Sequence, residues 1–123
     1  MVTATILLLV SDDLIRSIFQ EALESEGFLV LPTGDLGEAV DWLKDCTPAL
    51  LVTRGYLSSM SGHDAAKYLR KNCPHLRVLI VGGVPEDDRL QAREANEGFE
   101  VFPRPYPITG LIEKVKAVLK TVR

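Results

Sequence analysis

Cysteine is scarce in this sequence: Cys46 and Cys73 are the only two among 123 residues. Two thiols without a CxxC spacing make no disulfide framework and point to no metal or redox role, so both read as free thiols near helix ends. Long apolar runs are also lacking. The longest, Ile6 to Val10, is strand-sized, whereas a membrane-spanning helix needs about 20 apolar residues. The N-terminus, Met1-Val2-Thr3-Ala4-Thr5, has neither the basic start nor the cleavage site of a secretory signal. A cytoplasmic protein with no membrane contact is expected. Neither sign of charge dominates: the net charge is −3 and the pI about 5.4, which gives no pull toward nucleic acid. No Pro/Gly/Ser-rich linker divides the chain, so residues 1–123 are expected to form one domain.

What is present is a rhythm. Hydrophobic residues make up 46% of the chain and charged residues 25%, enough apolar material for one core. Continuous apolar runs occur at Ile6–Val10, Phe28–Leu31, Ala49–Val52, Val78–Val81 and Phe99–Phe102. Such runs read as strands buried on both faces, as in a parallel sheet. A helical pattern follows each. Leu14, Ile15, Ile18, Phe19, Ala22 and Leu23 share one face, and Gly27 supplies the stop. Leu36, Ala39, Val40 and Leu43 form the second stripe, opened by Asp35 and Glu38. Ser61 and Asp64 open a third helix with Ala65, Ala66 and Leu69. The fourth stretch, after Glu86, Asp87 and Asp88, has the weakest stripe; the fifth, with Leu111, Val115, Val118, Leu119 and Val122, is strong. Parallel strands need crossover helices of right-handed sense. The fold class is therefore a doubly wound (βα)5 α/β sandwich.

Ligands of such sheets bind beyond the carboxyl ends of the strands. The residues there are Ser11, Asp12 and Asp13 after strand 1, then Pro32, Thr33 and Gly34 after strand 2. Arg54 follows strand 3, Gly82 and Gly83 strand 4, and Pro103, Arg104 and Pro105 strand 5. Three segments carry a family pattern: Leu7-Leu8-Leu9-Val10-Ser11-Asp12-Asp13 with Arg16, Pro48 to Arg54 with Met60-Ser61-Gly62, and Phe102-Pro103-Arg104-Pro105-Tyr106. With these in order and spacing, nearly the whole chain resembles a response-regulator receiver (CheY-like) domain. The resemblance implies a flavodoxin-like sheet of order 2-1-3-4-5. It also implies an aspartate at the end of strand 3 that takes up a phosphoryl group as a carboxylate nucleophile. Two acidic residues after strand 1 would hold Mg²⁺. A lysine, a Ser or Thr after strand 4 and an aromatic on strand 5 would complete the switch.

Against that implied pattern the chain departs nearly everywhere. Arg54 falls at the acceptor position, with Gly62 eight residues later as in the family. A guanidinium is permanently charged and has no free nucleophilic lone pair at neutral pH. A cation about 4 Å from Mg²⁺ repels it by roughly 8 kcal/mol at an effective dielectric of about 20. Gly82 stands at the switch-hydroxyl position, Val101 at the switch-aromatic position, Arg104 at the lysine position, and Ser58 where a loop proline is usual. For the acidic pocket two assignments stand open: Ser11 and Asp12, with Asp13 capping the helix, or Asp12 and Asp13 together. A third is that one aspartate only caps helix 1, worth about 1 kcal/mol. A direct ion pair from Arg54 to Asp12 or Asp13 is expected to replace the metal, the alternative being a solvent-facing Arg54.

Smaller expectations follow. Arg104-Pro105 is a candidate cis peptide, as in the family. Gly82-Gly83 is read as a strand exit rather than an anion cradle. His63 and His75 are expected to be exposed, Trp42 to lie at the helix 2 surface or edge, and Ser58, Ser59 and Ser61 to be ordinary loop and cap residues. No metal, cofactor or catalytic residue is expected, and the chain is read as a non-enzyme. The leading functional expectation is a pseudo-receiver of the two-component type that acts without phosphorylation as a protein-interaction module. Its partner, an output domain, another protein or a second copy, would use the face of helix 4, strand 5 and helix 5, with no nucleic-acid contact. The alternative is a small-anion or nucleotide sensor at the strand ends. A phosphorelay role through another residue is the least favoured.

Overall fold

The computed structural model describes residues 4–58, 60–82, 100–102 and 108–120. Its elements are β1 (Thr5–Leu9), α1 (Asp13–Ser25), β2 (Leu29–Thr33), α2 (Leu36–Asp45), β3 (Leu50–Arg54), α3 (Gly62–Asn72), β4 (Arg77–Val81), β5 (Glu100–Phe102) and α4 (Ile108–Lys120). Helix α4 is the fifth helical stretch of the sequence. The strands form one sheet in the order β2-β1-β3-β4-β5, and every pairing is parallel. This is the expected flavodoxin-like order.

The continuous apolar runs are explained by two cores, one on each side of the sheet. Ile6, Leu8 and Val10 pack with Phe19 and Leu23 of α1 and with Leu111, Ile112, Val115 and Val118 of α4. Leu7 and Leu9 point the other way, to Ala39 of α2 and to Ala65, Ala66 and Leu69 of α3. All five residues from Ile6 to Val10 are fully buried, each contributing about 1.5–3 kcal/mol. Successive side chains of a strand alternate faces, so a two-faced strand needs no polar residue.

Local signals set the helix ends. Asp12, Asp35 and Ser61 cap α1, α2 and α3, each side chain accepting from the backbone N–H three residues on. At the far end of α1, Gly27 N–H donates to Glu24 O and Phe28 N–H to Leu23 O, the paired bonds that terminate a helix at glycine. Helix α4 is tied down near its C-terminus. Lys116 pairs with Glu26 at 2.6 Å, and Arg77 Nη1 donates to the Val118 carbonyl.

Some expectations need adjusting. Strand β2 runs through Pro32 to Thr33 rather than stopping at Leu31. An edge strand has one row of backbone groups unpaired, so a proline missing its N–H is tolerated there. Strand β3 likewise includes Arg54 as its last residue. On α1 the stripe is narrower than its apolar residues suggest: Leu14 is 69% and Ile18 42% exposed. Trp42 is half-buried at the margin of the α2–α3 core.

Candidate functional site

The carboxyl edge of the sheet is built by register. Leu9 of β1 pairs with Thr53 of β3, Arg54 with Val81 of β4, and Val81 with Phe102 of β5. Arg54 therefore stands at the centre of the edge, at the end of the middle strand. Thr53 just before it is fully buried and donates its hydroxyl to the Leu9 carbonyl at 2.8 Å. That bond satisfies a polar group which burial would otherwise penalise. Arg54 itself is half-buried.

The segment after Arg54 folds back over it. Gly55 N–H donates to Val81 O, Leu57 N–H to Met60 O, and Gly62 N–H to Gly55 O. Tyr56 and Ser61 form an antiparallel bridge. The return brings the first residue of α3 against the end of β3. A Cβ at Gly62 would lie 1.9 Å from the Arg54 carbonyl oxygen, closer than any side chain is tolerated. The spacing of eight residues between Arg54 and Gly62 is thus fixed by a backbone-to-backbone contact, which only glycine permits at that distance.

The acidic residues go elsewhere. Asp12 accepts the Ile15 N–H at 2.9 Å as the cap of α1, and Asp13 is the first helical residue. The reading with Asp13 as cap is corrected: the cap is Asp12. Asp13 Oδ1 pairs with Arg16 Nη2 at 2.6 Å, and Arg16 Nη1 also donates to the Val10 carbonyl at 2.7 Å. Among the described residues neither carboxylate pairs with Arg54, so the expected bridge across the strands is not formed. The reason is local: Arg16 lies three residues from Asp13 on the same helix face. In the sequence Arg16 stands out only as part of the family pattern, although its spacing of three from Asp13 already marks it as a partner. Ser11 makes the cross-loop contact instead. Its hydroxyl accepts the Ser58 N–H at 3.0 Å and lies 3.4 Å from the Ser58 hydroxyl.

Gly82, directly after β4, is buried and has φ +73°, a region that side chains with a Cβ enter at a cost of about 1–2 kcal/mol. A serine or threonine would strain the backbone there. Gly82→Thr is accordingly expected to lower unfolding free energy by about 2 kcal/mol in urea titration. A loss below about 0.5 kcal/mol would show that the left-handed turn is not fixed.

His63, expected outside, is fully buried. It shares the sheet-facing stripe of α3 with Ala65, Ala66 and Leu69, because Gly62 lets the helix start close to the sheet. Its Nδ1 lies 3.7 Å from Asp64 Oδ1. His75 is exposed as expected, and both cysteines are free and half-buried near helix ends. The backbone of Val101 lies in β5, paired with Ile80. Gly83, the fourth helical stretch, Ser59, Arg104 and Pro105 with its candidate cis bond fall outside the described residues. No helix among the described residues is long and apolar enough to cross a membrane.

Comparison with known proteins agrees with this architecture. The model of the response regulator receiver domain family matches residues 6–116. The chain belongs to that family. The DNA-binding transcriptional regulator NtrC of Azospirillum brasilense is 28% identical over 98% of this chain, which spans 25% of NtrC. The transcriptional regulatory protein CpxR of Escherichia coli is 30% identical over 93% of the chain, which spans 49% of CpxR. This receiver domain therefore covers about half or less of those relatives. The chemotaxis response regulator CheY4 of Vibrio cholerae shares the fold, with a TM-score of 0.82 at 17% identity over 95% of this chain and 99% of CheY4.

Proposed function

We propose that this receiver domain does not take up a phosphoryl group and acts as a phosphorylation-independent protein-interaction module of a two-component pathway. The observation that carries the reading is the contact between Gly62 and the Arg54 carbonyl. It supports the assignment of Arg54, and no neighbouring residue, to the acceptor position at the end of β3. A guanidinium there cannot form an acyl phosphate, because it has no carboxylate oxygen to attack phosphorus.

The surrounding residues fit Mg²⁺ poorly. Asp12 is engaged as a helix cap and Asp13 by Arg16. Arg54 adds a fixed positive charge, and Ser11 offers a hydroxyl already bonded to the next loop. Among the described residues no three His, Cys, Asp or Glu side chains stand together as metal ligands. Gly82 and Val101, at the two switch positions, supply neither a hydroxyl nor an aromatic ring. Without those parts the domain has no catalytic step of its own, and its value lies in the surface it presents. That NtrC and CpxR are transcriptional regulators longer than this chain favours an output domain as the partner, met on the face expected of the fourth helical stretch of the sequence, β5 and α4.

Incubation with acetyl phosphate and Mg²⁺, followed by intact mass, tests the reading. No added phosphoryl mass is expected at any incubation time. A mass gain that hydroxylamine removes would identify an acyl phosphate and end the proposal.

A further inference from the structure

We propose that Ser11 is a latch: its side-chain oxygen holds the segment after β3 in place by protein hydrogen bonding alone, without a bridging cation. Residues 55–58 and 60–61 form the roof over the end of β3. Three backbone bonds tie this roof to itself and to the sheet: Gly55 to Val81, Leu57 to Met60 and Gly62 to Gly55. Leu57 and Met60 anchor it to the apolar core below. None of these reaches across to β1. Among the described residues the contact that reaches the segment just after β1 is Ser58 N–H to Ser11 Oγ at 3.0 Å, with the two hydroxyls 3.4 Å apart.

Ser11 is itself held from behind. It lies between Val10, whose N–H donates to Thr33 O and whose carbonyl accepts from Arg16, and Asp12, the cap of α1. Arg16 is fixed in turn by Asp13. A chain of contacts therefore runs from α1 through Ser11 to the tip of the next loop. The Ser11 oxygen is placed by a strand end and a capped helix start, each held by its own hydrogen bonds, so the bond orders the roof more than it orders Ser11. On the reading that no phosphoryl chemistry occurs here, the latch leaves the roof over Arg54 in one conformation, whatever the phosphodonor or Mg²⁺ level. A partner then meets a constant shape.

Hydrogen exchange at the Ser58 amide, followed by NMR with EDTA and with excess Mg²⁺, tests this. In the unmodified chain protection should be equal in both conditions. Ser11→Ala removes the acceptor and should speed Ser58 exchange about two- to tenfold, the worth of one partly exposed hydrogen bond. Ser11→Thr keeps the hydroxyl and should restore protection. Ser58→Ala keeps the backbone N–H and should leave exchange at that position near its original rate. Cleavage after exposed Tyr56 by chymotrypsin should quicken in Ser11→Ala alone. Unchanged exchange in Ser11→Ala, or protection that needs Mg²⁺, would overturn the latch. An acyl phosphate found by mass with a Ser11-dependent roof would instead remove the functional reading and leave the latch standing.

Discussion

Replacing Gly62 by alanine is expected to destabilise the domain by about 3 kcal/mol, at the upper end of the cost of forcing one extra carbon into a packed site. The added Cβ would lie 1.9 Å from the Arg54 carbonyl oxygen, 3.0 Å from its carbonyl carbon and 3.3 Å from Thr53 Cγ2. Two of these neighbours are backbone atoms and cannot rotate aside. Either α3 lifts from the sheet, breaking the Gly62 to Gly55 bond, or the end of β3 tilts and disturbs its pairing with Val81. Small domains have only about 5–15 kcal/mol of stability in total, so the urea midpoint should fall by roughly 1–2 M. Gly37→Ala is the control. There a Cβ meets only the Asp35 side chain, at 3.3 Å, and alanine is the better helix former by about 1 kcal/mol. If the two variants proved equally stable, the tight approach that supports the placement of Arg54 would not exist.

That contact also shows what one-dimensional reading can and cannot do. The spacing from Arg54 to Gly62 was visible in the sequence, and the structure supplies its cause. The strands were visible for a similar reason: a run such as Ile6–Val10 is apolar at both parities because both faces of the sheet are covered. Where a residue's fate depends on which of two neighbours reaches it first, the sequence was a poor guide. The expected pair from Arg54 to Asp12 or Asp13 rests on the adjacency of strands 1 and 3, yet Asp12 caps α1 and Arg16 on the same helix takes Asp13. Nearby partners lose less chain entropy in meeting than distant ones. The expectation of an exposed His63 rests on its place at a helix start. His63 is buried because the glycine before it lets that helix start against the sheet. Leu14 and Ile18 erred the other way: periodicity shows which face is apolar, but not how far the sheet beneath it extends.

The charge at position 54 carries the second large prediction. On the proposed reading, Arg54→Asp should confer a Mg²⁺ affinity that the original chain is expected to lack. A guanidinium about 4 Å from a divalent ion opposes it by roughly 8 kcal/mol at an effective dielectric of about 20, and a carboxylate reverses the sign. Against that stand modest local terms. Releasing Asp12 from its cap costs about 1 kcal/mol. Freeing Asp13 from Arg16 costs less than about 1 kcal/mol, because Asp13 is 90% exposed and the pair is screened. The charge term is the larger, so the single variant should bind Mg²⁺, though weakly, because an aspartate must first leave its partner. Ser11→Asp combined with Arg54→Asp supplies a carboxylate nearer the strand end and removes that cost, so its affinity should be about tenfold higher. Thermal unfolding with and without Mg²⁺ reads all three proteins. A ligand at about 100 times its Kd stabilises the folded state by about 2.7 kcal/mol, a shift of several degrees for a domain of this size. The original chain should show no shift. If it were stabilised by Mg²⁺ as much as Arg54→Asp, the guanidinium would lie away from the metal position, and the case for a receiver held in one state would fail with it.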